Sequence, residues 1–326
     1  MLKASYQISV VNDTTQATPT NFQQLIQTTL QYPSGVRFWR PIDGWLYGWL
    51  ESLSSTNQAN IWVKIPSSIP ANGVYQIYMV EDSSLNFDGN YWGEAPNLSS
   101  TYGQYDNGAS IFSNYWNFAG TSLPSGWTSS IGSSSGSVTV NNGVTLASGT
   151  GGSNGWGTIY YEFTMPSSNQ IAIEVFGQTA ETGRQRMYLT NTGAGSIFGG
   201  YGSDLGFDYG IFGEITSGDL QYFWNGYYSP NNPAFAINTN YIVQYILTGS
   251  TFYWNILSSS ESQIASQSTT QPSTTNVLSL IDDDDAGATQ STYYWIRFRA
   301  YPPNGVMPET AIVPVQAWEV FMPPLP

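Results

Sequence analysis

The chain reads as an all-β protein built from two β-sandwich domains, and three observations predict it. Short runs of β-branched and aromatic residues recur along the whole length, separated by clusters of Gly, Pro, Asn and Ser. The 3.6-residue apolar periodicity of amphipathic helices is almost absent. With 326 residues, 15% of them aromatic, the chain has the length for two domains and the apolar area for a core in each.

The first region predicts strands over 6–11, 22–30, 45–50, 60–65 and 74–80. Ile61-Trp62-Val63-Lys64-Ile65 alternates as a half-buried strand does. Pro66, Pro70 and Asn72-Gly73 then mark a turn before the next strand begins at Val74. The stretch 83–109 carries turn residues throughout and no clean alternation, so it is expected as a linker packed by its own aromatics. That sets the first domain at 1–109. The second, 110–326, predicts strands near 138–140, 158–165, 170–176, 186–190, 211–215, 220–224, 241–247, 251–256, 293–301 and 312–320. So many strands fit a two-sheet jelly roll of the concanavalin A type better than a compact immunoglobulin sandwich. The Gly/Ser-rich tracts 129–136 and 148–155 read as loops.

Only 9% of the residues are Asp, Glu, Lys or Arg, against about 25% in an average soluble domain. Ser, Thr, Asn and Gln supply most of the polarity, so the surface has little charge to lose when pH falls. This fits harsh, acidic, extracellular conditions, although a compositional bias of the lineage gives the same pattern. A net charge of −14 with 8 Lys plus Arg argues against nucleic acid, whose affinity comes from neutralising phosphates, and against anionic membrane surfaces. Without Cys there is neither a disulfide framework nor thiol chemistry. Without His the commonest general base and metal ligand are missing. Serine-triad and zinc-hydrolase mechanisms are thereby disfavoured, and the expected class is non-enzymatic. No apolar run approaches the roughly 18 residues that span a bilayer, and residues 1–15 lack the apolar core of a signal peptide. The expected location is extracellular, on a cell or virion surface. The protein would arrive there after removal of a signal or through virion assembly.

Several stretches carry a family resemblance. They are residues 6–12, Asn21-Phe22-Gln23-Gln24-Leu25-Ile26-Gln27, Val36-Arg37-Phe38, Gly44-Trp45-Leu46-Tyr47-Gly48-Trp49-Leu50-Glu51, Asn60 to Pro66 and Ile77-Tyr78-Met79. In this order they resemble the domain-of-unknown-function family 2341. Tyr91-Trp92-Gly93-Glu94-Ala95-Pro96 with the residues up to Leu123, and Trp295 to Pro308, are similar to surface or virion proteins of thermophilic archaea and their viruses. The resemblance covers roughly the first 125 residues and the last 35, while 126–290 match in architecture alone. It implies an unknown-function β-sandwich followed by a concanavalin A-like lectin/glucanase domain. It assigns no chemistry.

Five sets of residues are candidates for function. Sugars are held by aromatic faces with Asp and Asn on their hydroxyls, and Tyr201, Asp204, Asp208, Trp224, Asn225, Tyr227 and Tyr228 supply both kinds of group among glycines. The alternative is core packing, with Asn225-Gly226 a hairpin turn. Asp282, Asp283, Asp284 and Asp285 need solvent or a cation to relieve their repulsion, which makes Ca²⁺ the candidate cofactor. A solvated loop tip is the plainer reading, since calcium-loop spacing is absent. Asn12 and Asn97 head N-x-S/T glycosylation triplets. Arg297 and Arg299, two apart on a strand and so on one face, are expected to pair with carboxylates at the domain interface. Glu162, Glu174, Asp208 and Glu214 could pair as in a glycosidase, without its usual strand signature.

Three functional readings follow. The first is a surface-displayed glycan-binding adhesin, including a viral protein that attaches to a host; its partner is a cell-envelope glycan or glycoprotein. The second is a structural coat, turret or filament subunit, a homo-oligomer or partner of other surface subunits. The third is a glycoside hydrolase.

Overall fold

A computed structural model describes residues 5–132, 136–148, 156–168, 170–179, 184–190, 209–214, 219–224, 227–229, 238–271, 277–283, 290–315 and 323–324. Along 184–190, 209–214, 219–224 and 227–229, and at 179, 267, 269 and 283, it describes the backbone alone. In chain order the strands begin with β1 (Tyr6–Asn12), β2 (Phe22–Thr29), β3 (Val36–Arg40), β4 (Gly44–Leu46), β5 (Gly48–Leu53), β6 (Gln58–Ile65), β7 (Gly73–Glu81), β8 (Trp92–Glu94) and β9 (Asn114–Trp116). They continue with β10 (Trp127–Ile131), β11 (Ser137–Val140), β12 (Val144–Ala147), β13 (Trp156–Glu162), β14 (Gln170–Thr179), β15 (Arg184–Thr190), β16 (Tyr209–Glu214), β17 (Asp219–Trp224) and β18 (Tyr227–Ser229). The last are β19 (Tyr241–Thr248), β20 (Thr251–Ser258), β21 (Gln263–Thr270), β22 (Val277–Asp283), β23 (Gln290–Arg299) and β24 (Glu309–Pro314). Among the described residues no helix is long and apolar enough to cross a membrane. The fold is all-β, as the alternation predicts.

The chain divides into two compact units, one of Met1–Tyr115 with Arg297–Pro326, the other of Trp116–Ile296. The expected domains of 1–109 and 110–326 differ from this division chiefly in the last thirty residues, which fold with the first unit. The reason lies in β24, which pairs antiparallel with β1 through six successive residue pairs, from Tyr6↔Pro314 to Val11↔Glu309.

The first unit is a sandwich of a five-stranded sheet, β24-β1-β7-β3-β4, and a four-stranded sheet, β2-β6-β5-β8. Ile8, Val10, Ile77 and Met79 from one sheet meet Ile26, Ile61 and Val63 from the other in one apolar core. Burial along β1 alternates because successive side chains of a strand leave opposite faces. Strand β6 departs from its expected half-burial. Ile61, Val63 and Ile65 enter the core, and Trp62, on the other face, is also buried. A second layer made by Phe112, Arg297 and Arg299 covers that side.

The stretch 83–109 is part of this unit and not a linker. Strand β8 pairs in parallel with β5, and Trp92 is fully buried in the core. Gly93 permits the closure above it, because a Cβ there would lie 2.2 Å from Asn107 Oδ1 and 2.3 Å from the Tyr105 carbonyl oxygen.

The second unit has a seven-stranded sheet, β10-β13-β22-β15-β16-β17-β18, and an eight-stranded sheet, β11-β12-β23-β14-β19-β20-β21. This is the two-sheet jelly-roll architecture expected from the strand count. Long antiparallel ladders hold it, such as β14 with β19 from Gln170↔Thr248 to Gly177↔Tyr241. Ser291 on β23 donates hydrogen bonds to Asp282 on β22, so the two sheets are also tied by polar contacts.

Candidate functional site

Of the seven sugar-site candidates, Tyr201, Asp204, Asp208 and Asn225 lie outside the described residues. Trp224 ends β17, and Tyr227 and Tyr228 begin β18 at the edge of the seven-stranded sheet. Antiparallel pairing sets Trp224 opposite Tyr227 and Phe223 opposite Tyr228. This register leaves two residues between the paired ends, the length of a tight hairpin loop. The backbone therefore gathers four aromatic positions on one edge hairpin, three of which are candidates.

Within the acidic run, Asp282 is the residue whose side chain is described. Asp282 is a strand residue, fully buried, and its carboxylate accepts from the Ser291 amide at 2.8 Å and the Ser291 hydroxyl at 2.7 Å. Burial, and after it the Asp282 charge, push the neighbouring Tyr293 phenol well above its ordinary value. Asp283 closes β22, while Asp284 and Asp285 lie outside the described residues. Among the described residues no group of three or more acidic side chains comes together to hold a metal. Neither the solvated loop tip nor the four-carboxylate cage describes Asp282, whose oxygens are engaged by Ser291.

The two glycosylation triplets separate. Asn12 is fully buried at the end of β1. Its Nδ2 donates to the carbonyls of Gln16 at 2.8 Å and Pro70 at 2.9 Å, and its Oδ1 accepts from the Thr14 hydroxyl at 2.8 Å. The amide nitrogen that would carry a glycan is thus committed inside the fold, which corrects the sequence expectation for Asn12. Asn97 is exposed.

The structure shows a polar row that the sequence reading did not assemble. Residues 174, 244 and 255 are in register across β14, β19 and β20. Gln244 Nε2 donates to Glu174 Oε1 at 2.6 Å, and Asn255 Nδ2 donates to Gln244 Oε1 at 2.7 Å. Glu174 is fully buried and the two amides nearly so. A buried carboxylate needs such donors, and bonds to an ionised acceptor are about twice as strong as neutral ones. A signal was available: Gln244 and Asn255 interrupt two apolar strands at equal distances from the turn at Gly249-Ser250. Glu162 is exposed at the end of β13, and Glu214 pairs through its backbone with Arg184 and Asp219.

Arg297 and Arg299 lie in the first unit. Arg297 Nη2 sits 3.0 Å from Glu51 Oε1, both side chains being essentially inaccessible. Its guanidinium lies 4.6 Å from the Trp62 ring centre and 4.9 Å from that of Phe112, and Arg299 lies 5.1 Å from Trp62. Glu51 Oε2 accepts from the Trp62 indole N–H at 2.5 Å. The expected carboxylate partner is present for Arg297, and the arrangement is a buried, packed element of the unit.

No protein-family model matches the chain. The resemblance to family 2341 therefore stands on the residues quoted for it. Over 127 residues the chain is 35% identical to uncharacterized protein 562 of Sulfolobus islandicus rod-shaped virus 1, a match of 35% of this chain and 22% of that protein. The chain thus spans about a fifth of the length of its viral relative. Solved structures similar to it include the Ca²⁺-bound exoplasmic/lumenal domain of VIP36, at TM-score 0.41 and 11% identity, covering 57% of this chain and 90% of that one. The CBM2 module of the evolved Dit of Lactobacillus casei BL23 phage J-1 matches at TM-score 0.41 and 13% identity over 57% and 93% of the two chains. A sialidase matches at TM-score 0.36 and 9% identity, covering 80% of this chain and 21% of that one.

Proposed function

We propose that the chain is a surface-displayed, non-enzymatic glycan-binding module, an adhesin through which a virion attaches to the envelope of its host. The observation that carries the reading is the register of the β17–β18 hairpin. It sets Trp224 opposite Tyr227 and Phe223 opposite Tyr228 at a sheet edge. Aromatic positions paired across an edge hairpin, in a chain rich in Asn, Ser and Thr, supply ring faces for sugar C–H groups and hydrogen-bonding groups for sugar hydroxyls. Binding is favoured over hydrolysis because Glu174, a candidate catalytic carboxylate, is fully buried and out of a substrate's reach. A relative in a rod-shaped virus supports the virion location. Calcium, if it takes part, would be held by Asp283, Asp284 and Asp285 rather than by Asp282.

The test is a glycan array probed with the intact chain, with and without Ca²⁺. Retention of a class of envelope glycan, lost in Trp224→Ala and Tyr227→Ala, is the expected result. Absence of binding in both conditions overturns the reading, and turnover of a bound polysaccharide overturns its non-enzymatic part.

A structural coat or filament role is the second reading. It is favoured by apolar side chains exposed on two edge strands, Ile264 on β21 and Val313 on β24. Light scattering at high protein concentration decides it: a persistent monomer counts against a subunit that assembles through those edges.

A further inference from the structure

The five-stranded sheet of the first unit is apolar on both faces at one corner. Its inner face gives Phe38, Leu46 and Met79 to the core. On the outer face Trp45 lies opposite Trp39 on β4 and β3, and Trp39 lies opposite Tyr78 on β7. The Trp39 and Tyr78 rings are 5.9 Å apart, and Leu85 and Val315 pack with them around the buried Val80. Three aromatic side chains thus form a row at right angles to the strands, spanning two interstrand gaps or about 10 Å. An antiparallel sheet commonly leaves its second face to water. A row of half-buried rings there calls for an occupant.

The structure identifies one. The Trp45 indole N–H donates to the Pro324 carbonyl oxygen at 3.2 Å. Pro324 belongs to Phe321-Met322-Pro323-Pro324-Leu325-Pro326, in which three of four successive residues are proline. Proline-rich segments adopt the polyproline II helix, which has no internal hydrogen bonds and leaves its carbonyls free to accept. Rows of aromatic rings with an indole N–H directed at such a carbonyl are the usual means of reading that helix. The reach also fits. Val315 lies on the same outer face, where its amide donates to Ser5 beyond β24. From β24 to β4 is four interstrand gaps, about 19 Å. Nine residue steps separate 315 from 324, and an extended chain of that length reaches up to about 30 Å, more than the distance required.

We infer that the row Trp45, Trp39 and Tyr78 is a receptor surface for a proline-rich segment in polyproline II form, and that Pro323-Pro324 of this chain occupies it. Trp45 supplies the directed hydrogen bond, and Trp39 and Tyr78 supply the ring faces. The segment closes an apolar face that would otherwise be open to adventitious association.

The test uses the intact chain and a labelled hexapeptide of the sequence Phe-Met-Pro-Pro-Leu-Pro. Pro323 and Pro324 are exposed, so Pro323→Ser/Pro324→Ser removes the proline rings and the preset φ that hold the segment on the row, without touching the core. Fluorescence anisotropy should then show the hexapeptide binding to this variant at least tenfold more tightly than to the wild type, whose row is filled. Adding Trp45→Phe, which keeps a ring and deletes the N–H, should abolish most of that gain. A hexapeptide with its prolines replaced by serine should not bind. Equal binding to the wild type and the serine variant, or binding indifferent to Trp45→Phe, overturns the inference. So does failure of the hexapeptide to bind the serine variant. Circular dichroism of each variant confirms that the sheet is retained.

Discussion

Arg297 and Glu51 provide the sharpest test of how the first unit is held together. Their side chains are 0% and 2% exposed, and the charged atoms lie 3.0 Å apart. At that distance, and with an effective protein dielectric of about 20, the attraction is about 5 kcal/mol. Removing two charges from water costs several kcal/mol per ion, so the intact pair adds little over a well-packed apolar pair. Breaking it is different. Arg297→Met leaves the Glu51 carboxylate buried with the Trp62 indole as donor, and also removes a cation stacked near two aromatic rings. Glu51→Gln leaves the guanidinium buried among those rings with its counter-charge gone. Each single substitution should cost about 3–5 kcal/mol, and the double substitution well under the sum, with a coupling of about 2 kcal/mol or more. Guanidinium unfolding followed by tryptophan emission reads this, since Trp49, Trp62 and Trp92 are all buried in the first unit. If either single variant loses under about 1 kcal/mol, or if the two costs simply add, the pair does not hold the layer over β6 and the reasoning fails.

Three further outcomes are expected. Burial would raise the Asp43 carboxyl, but the bonds from Tyr75, Arg40 and Ser67 outweigh it and hold it below the usual carboxylate range. A depressed folded value means that stability is complete above the unfolded value near pH 4 and is lost as pH falls through the folded one. The Asp43→Asn stability profile should therefore be flatter than the wild type's over that interval in acid denaturation. In the second unit, Gln244→Leu removes a donor to a buried carboxylate and should cost about 2–3 kcal/mol, whereas Asn255→Leu leaves a neutral oxygen short of a partner and should cost about 1 kcal/mol; urea melts rank them. In a host that glycosylates N-x-S/T triplets, mass spectrometry should find the glycan mass removed by Asn97→Gln and unchanged by Asn12→Gln.

The strands were readable wherever side chains alternate, and the turn at Asn72-Gly73 was readable from its residue types. There Asn72 takes a left-handed φ of 52°, and a Cβ on Gly73 would crowd the Pro70 carbonyl at 2.8 Å. What escaped the sequence depends on distant partners. Strand β8 is three residues long with a glycine in the middle, too short for any period to show, and only its pairing with β5 makes it a strand. The return of β24 to β1 joins residues some three hundred positions apart, a pairing that no local pattern records. Asn12 matches a glycosylation triplet by residue type, but its role follows from the carbonyls of Gln16 and Pro70 that the fold brings to it. Arg297 and Arg299 were more legible. Two cations inside the run Tyr-Tyr-Trp-Ile-Arg-Phe-Arg require compensation, and the structure supplies Glu51 and the Trp62 ring.

The fate of the basic residues connects composition to surface chemistry. The sequence has 8 Lys plus Arg; Lys3 and the side chains of Arg184 and Arg186 are outside the described residues. The remaining five all belong to the first unit, and each has a committed place. Arg37 is buried against Asp88 at 2.9 Å, and Arg40 pairs with Asp43 at 2.6 Å. Lys64 donates to the Ser110 carbonyl at 3.0 Å, Arg297 pairs with Glu51, and Arg299 is buried beside Trp62. A surface that neutralises phosphates needs cations facing solvent, and in this unit the few available are spent on closing the fold. The polarity left to the outside is therefore mainly hydroxyl and amide, with carboxylates in excess. Hydroxyls and amides donate and accept at short range and change little with pH or salt. They suit recognition of uncharged, hydroxyl-rich partners, so the low charge content and the proposed glycan binding have a common physical origin.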